Sequence, residues 1–214
     1  MYVRQIDEQT LTLQVSGKLW MRSLVMSDAE TGTEWAHLLG RGMAGQFEGR
    51  KLKPLITDMV TWNAWKQQHP ETTVLNMASV TPRFTRSYYR TPQKFVFGFE
   101  VDGRAMALPM TQMLKHPVHH FEIDGRPLLA TFDKQGAGTH LYEARLKDRV
   151  LSFRSVDELT MRDEQTDSRW SVRDGTCLEG PLKGEALVQR VGIMSFRQAW
   201  QNFHPDSVDV VFGN

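Results

Sequence analysis

Three histidines, His116, His119 and His120, fall within five residues, and clustered imidazoles are what zinc, copper and nickel bind most readily. On a helix starting at Pro117, His116 and His120 would share a face and could chelate. The Pro117-Val118 step argues instead for an extended segment, in which His119 and His120 point to opposite faces and are solvated or bonded in the core. If the cluster converges, its cofactor is a divalent transition metal, with His140 or His37 as a further ligand.

A second set of candidates is aromatic. Trp35 and Trp170, like Trp65 and Trp200, hold equivalent places in an internal repeat, as core residues do. Trp20 and Trp62 have no counterpart, so with Arg22 they mark a surface or groove on which sugar rings or aromatic ligands would stack. Arg86 and Tyr88 join them from a basic, aromatic segment, residues 76–94, whose bland reading is a polar connection. Nucleophilic chemistry finds less support. Ser16-Gly17 is not a G-x-S-x-G elbow, and Cys177 sits in a polar turn with no histidine near it in sequence. Asp28, Asp163 and Glu34 could supply carboxylates, but the repeated aspartates read as turn caps. No glycine run ends in Lys-Ser/Thr or follows G-x-G-x-x-G, as a phosphate cradle requires.

With 214 residues, 40% hydrophobic and 24% charged, the chain reads as a soluble globular protein of one large domain or two small ones. A formal charge of +1 gives no footprint for nucleic acid, although local basic patches are compatible with it. Cys177 is the single cysteine, which excludes an intrachain disulfide and fits a reducing compartment. Residues 1–10 lack an apolar signal core, and no window approaches 18 consecutive apolar residues. As given, the chain reads as cytoplasmic with no membrane span, and an export signal upstream of Met1 is left open.

The elements that must position these residues come in two copies. Residues 28–70 match residues 163–205 at an offset of 135 without a gap. Asp28, Thr31, Trp35, Gly40, Gly45, Gly49, Leu52, Met59, Ala64, Trp65, His69 and Pro70 meet identical residues, twelve identities in 43 positions. Upstream, Tyr2, Ile6, Leu11 and Leu13 answer Tyr142, Leu146, Leu151 and Phe153 at an offset of 140, so the first copy carries five extra residues within 17–26.

Alternation predicts short strands over residues 2–15 and their copy, then hairpins through residues 24–36. A helix is expected to begin at Thr57 or Thr61, with its mate over residues 192–203. His69-Pro70 and His204-Pro205 stop the two helices, because proline disfavours helical backbone in the residue before it. Strands are expected at residues 74–75 and 208–212. Between the copies, residues 95–100 and 104–108 form a hairpin, 111–115 a helical turn, and 121–123 with 128–132 another hairpin.

The block over residues 95–132 precedes the second copy only. The first half reads as shortened at its N-terminus, and an exposed sheet edge there would favour a homo-oligomer.

The motif Val15-Ser16-Gly17-Lys18-Leu19, then Ser23-Leu24-Val25-Met26 and Asp28, then Thr31 and Trp35, resembles the bacterial and archaeal family known as domain of unknown function 3179. Gly45 and Leu52, the Trp62, Trp65 and His69-Pro70 element, and Gly98, Gly103, Arg104, Ala107, Pro109, His116, Gly125, Pro127 and Thr131 match its later segments. Many members continue with Cys-Pro-Leu-Cys-Gly, a pair of thiols suited to metal or redox chemistry. Asp133 and Gly136 stand at the cysteine positions here, so activity depending on those thiols is expected to be absent.

The expected fold is α+β and β-rich, two pseudo-repeated halves of short antiparallel strands, each with one helix ending in His-Pro. Residues 1–78 form the first half, 79–94 a linker and 95–214 the fuller second half. The leading functional expectation is a non-enzymatic binding or structural module working through Trp20, Arg22 and Trp62 or the loop bearing Arg86 and Tyr88. The alternative is a metal-dependent or redox enzyme, or its remnant, centred on residues 116–120.

Overall fold

Brief apolar runs punctuated by turn residues give brief antiparallel strands, and the computed structural model, which describes residues 1–74 and 90–212, sets most of them in two matching units. The first unit holds β1 (Gln5–Ile6), β2 (Gln9–Thr10), β3 (Leu13–Trp20), β4 (Ser23–Asp28), β5 (Glu34–Ala36) and β6 (Arg41–Ala44), followed by α1 (Trp62–Gln68). A middle block follows: β7 (Phe95–Val101), β8 (Arg104–Pro109), α2 (Met110–Lys115), β9 (Val118–Ile123), β10 (Arg126–Asp133) and β11 (Gly138–Glu143). The second unit holds β12 (Arg145–Leu146), β13 (Arg149–Val150), β14 (Phe153–Ser155), β15 (Thr160–Asp163), β16 (Arg169–Ser171) and β17 (Cys177–Glu179). β18 (Gly192–Phe196), α3 (Arg197–Phe203) and β19 (Val208–Asp209) complete the chain. The fold is α+β and β-rich, built on antiparallel sheets.

Pairing reproduces the repeat. The β1-β2 hairpin sets Gln5 opposite Thr10, and β12-β13 sets Arg145 opposite Val150. Sheet order β3-β4-β5-β6 is repeated as β14-β15-β16-β17, with Met26 opposite Trp35 and Met161 opposite Trp170. Each unit packs around its fully buried tryptophan, Trp35 with Leu11 and Leu52, Trp170 with Leu151 and Leu187. The repeated aspartates cap turns and also hold these rings. Asp28 accepts the Thr31 amide at 2.6 Å and the Trp35 indole N–H at 2.9 Å, and Asp163 does the same for Thr166 and Trp170 at 2.6 and 2.9 Å.

The middle block builds the sheet of the second half and also touches the first, where the Thr61 amide donates to the Gly136 carbonyl. Its β7-β8 hairpin is flanked by β18 and β19, in the order β18-β7-β8-β19. Trp200 of α3 lies flat over Gly98 of β7, where an added Cβ would stand 2.4 Å from the indole ring. Gly98→Ala therefore forces a rigid, buried ring off its seat, and we expect a loss of about 2–3 kcal/mol in urea unfolding. An unchanged midpoint would mean that the ring is not fixed there.

Two local expectations need correction, and one choice between two residues is decided. The helix expected over residues 192–203 begins at Arg197, because its first five residues pair with β7 as β18, placing Met194 opposite Phe97. Thr61, not Thr57, starts α1, accepting the Ala64 amide at 3.3 Å. The late strand shrinks to β19, and Val74 lies outside any regular element. Arg86 and Tyr88 lie outside the described residues. Among the described residues α1 has no hairpin like the one beneath α3, and Met59 is 54% exposed while its counterpart Met194 packs on the core.

Candidate binding cleft

The unrepeated aromatic residues are not gathered into one groove. Trp20, carried by the insertion at the β3-β4 hairpin, meets Phe203 of α3 edge-on at 4.9 Å, so the extra residues fasten the first unit to the second half. Arg22 is exposed in the adjoining turn with φ of 66°. Trp62 stands 51% exposed at the first turn of α1.

The histidines separate as strand geometry requires. His119 and His120 are neighbours on β9 and face opposite ways. His119 stacks on Phe212 with centroids 3.5 Å apart, while the Nε2 of His120 accepts the Phe153 amide at 2.7 Å. His116 is the exposed C-cap of α2. Among the described residues no group of three His, Cys, Asp or Glu side chains is arranged to hold a metal ion.

Burial, reinforced by the charges of His120 and His116, brings His119 down from 6.5 to about 4. A base whose pKa falls on folding favours the unfolded chain once protons bind. Its contribution is complete above pH 6.5 and is lost as pH falls from there towards 4. His37, His120 and His204 are also lowered, each chiefly by burial, and act in the same sense. We expect stability to fall across that window, with about 1–2 kcal/mol due to His119 after allowance for its partial exposure. His119→Phe keeps the stack and should flatten that part of a thermal-denaturation series; an unaltered slope would assign it elsewhere.

A polar cluster that sequence spacing did not reveal lies beside α1. Asp133 and Arg173 form a buried pair, Nε to Oδ2 at 2.5 Å, and the Thr61 amide donates to the Gly136 carbonyl at 2.7 Å. His140, 2% exposed, sets Nδ1 3.2 Å from Asp58, which also accepts from Gln189 at 3.2 Å. Among the described residues its Nε2 has no hydrogen-bond partner, and an added Cβ on Gly138 would sit 2.8 Å from both that atom and Val60. That nitrogen is buried, away from solvent.

Open space lies on the other side, between the first unit and the second half's sheet: a cavity of about 290 Å³. Leu38, Leu52 and Leu55 form one wall, Phe99 and Ile193 the other, with Trp200 between them. His204 stacks on Trp200 at 4.1 Å. Its pKa is depressed mainly by burial, with Lys51 adding to the effect and Glu100 opposing it. Tyr2 donates its hydroxyl to the His37 carbonyl at 2.8 Å, and burial with the Glu100 charge pushes it up to about 12. The lining contains neither serine nor cysteine. Among the described residues that line the cavity, Lys51 and Glu100 are the charged side chains and the others are mostly apolar, which suits the slot to an apolar group. Only its aromatic and apolar members were visible one by one in the sequence; their meeting depends on how the halves pack.

A family model described as "Protein of unknown function (DUF3179)" matches residues 1–94 and again residues 87–207. No curated protein and no solved structure matches the chain.

Proposed function

The chain belongs to the DUF3179 family, and from that premise we propose that it is a non-enzymatic binding module whose ligand occupies the cleft between the first unit and the β18-β7 sheet. The observation that carries this reading is the cavity of about 290 Å³, lined by Leu38, Leu55, Ile193 and Trp200. Slots of this size and apolarity are where small ligands are taken up. Among the described residues no helix is long and apolar enough to cross a membrane. Exposed Val15 and Leu19 on the edge strand β3 support self-association, which light scattering across a concentration series tests.

The test uses the apolar dye 8-anilinonaphthalene-1-sulfonate. The native chain is expected to bind one equivalent with enhanced emission, and Leu38→Arg should weaken that binding at least tenfold with an unchanged circular dichroism spectrum. Emission that ignores Leu38→Arg and Ile193→Asp alike would defeat the reading.

A further inference from the structure

Strand alternation decides what the second half shows to the cleft. On β7, Phe95, Phe97 and Val101 belong to the main core, whereas Val96 packs with Trp200, so Gly98 and Glu100 share the face on which the indole lies. Glu100 is the exposed member of that face. In the first unit Leu52 turns into the core around Trp35, and Lys51 beside it, paired with Arg41, is exposed. Both charged side chains line the cleft, one from each half.

These two charges are held apart. Among the described residues neither Lys51 nor Glu100 makes an ion pair, with the other or elsewhere. Yet both act on the His204 ring, Lys51 lowering its pKa and Glu100 raising it, so they face one stretch of the slot. The large polar side chains nearby are already committed. Tyr2 donates to the His37 and Leu38 carbonyls at 2.8 and 3.1 Å, and the Trp200 indole donates to the Ser207 hydroxyl at 2.7 Å. Lys51 and Glu100 are left as the strong groups that a ligand's polar end would meet.

Opposite charges on the two walls of an apolar slot select by sign. A lone carboxylate on an apolar tail would gain Lys51 and be opposed by Glu100, and a lone amine would gain Glu100 and be opposed by Lys51. A molecule bearing both charges on one apolar body satisfies each. The cavity of about 290 Å³ has the volume of about ten waters, the scale of a single amino acid. Its apolar lining, with Leu38, Leu55 and Ile193, then takes the side chain.

We propose that the cleft is a site for a free amino acid with an apolar side chain, its ammonium paired with Glu100 and its carboxylate with Lys51. This rests on the binding reading above and gives it a ligand class.

The test is isothermal titration calorimetry on the full chain with L-leucine and L-phenylalanine, each beside the analogues that lack one of its charges. For leucine these are isocaproate and isoamylamine, and for phenylalanine hydrocinnamate and phenethylamine. At least one amino acid should bind about tenfold more tightly than both of its analogues and release the naphthalene dye. Glu100→Gln should weaken that amino acid and strengthen its carboxylate analogue, and Lys51→Gln should weaken it and strengthen the amine. Both side chains are exposed, so both variants should keep the native circular dichroism spectrum. Analogues that bind as tightly as the amino acids, or amino-acid binding that ignores either substitution, overturn the proposal. Dye displaced by decanoate or by an analogue while both amino acids leave it in place overturns it too, and the cleft remains a binding site. A native chain that takes up no dye would remove the cleft reading itself.

Discussion

Asp163→Ala is expected to lower the stability of the folded chain by about 3–5 kcal/mol, because one buried carboxylate serves four donors. Asp163 accepts from the Thr166 amide at 2.6 Å, the Thr166 hydroxyl at 2.9 Å, the Ser168 amide at 3.1 Å and the Trp170 indole at 2.9 Å. Both Asp163 and Trp170 are fully buried, so water cannot replace the lost acceptor without entering the core. Each stranded donor costs about 1–3 kcal/mol, and two are in buried positions. Trp170→Phe alone should cost less, and added to Asp163→Ala it should recover part of the loss, since the stranded indole N–H goes with it. Urea unfolding of the three variants checks this. Strict additivity would mean that the carboxylate and the indole do not act together.

The first unit provides an internal comparison. Burial is the largest influence on Asp28 and pushes its pKa up, but hydrogen bonds from Trp35, Thr31 and Thr33 together outweigh it and hold it below the usual carboxylate range. A carboxylate lowered on folding stabilises the fold above its unfolded pKa. That contribution disappears as pH falls through the folded value, below about 4. It adds to the acid loss expected from His119, whose window lies higher.

The turn-capping role of Asp28 and Asp163 and the core role of Trp35 and Trp170 were legible in the sequence because residue type and spacing recur together, but the bond from each indole to its aspartate was not. The hairpins of the middle block were legible for a similar reason, with Asp102-Gly103 and Asp124-Gly125 marking two-residue turns between alternating runs. The strand β18 was not, because a five-residue run holding Ile193, Met194 and Phe196 suits either a buried strand or a helix start, and only β7 beside it decides. The cleft was not legible either. Trp200 and Tyr2 lie far apart in the chain, and their meeting follows from how the two halves pack, which no local period encodes. Even the unrepeated Trp20 had a signal of this kind: the insertion was visible, but its contact with Phe203 was not.

Arg173→Leu is the second large effect expected, about 3–5 kcal/mol, because it strands a carboxylate that is 1% exposed. Among the hydrogen bonds of the described residues Asp133 would keep the Gln135 amide at 2.9 Å, too little to hold a charge away from water. Replacing both members by apolar residues removes the charge as well as its partner, so Asp133→Leu with Arg173→Leu should regain most of the loss. The consequence for the neighbouring segment distinguishes this pair from an ordinary core contact. Asp133 anchors the turn whose Gly136 carbonyl receives the Thr61 amide at the start of α1. Hydrogen exchange at Thr61 should therefore quicken in Arg173→Leu more than exchange in the distant β4-β5 ladder. Quickening shared evenly across the chain would mean that the pair supports the fold as a whole, and the link from ion pair to turn to helix would have to be abandoned. A local response would make the ion pair, the turn and α1 one cooperative unit.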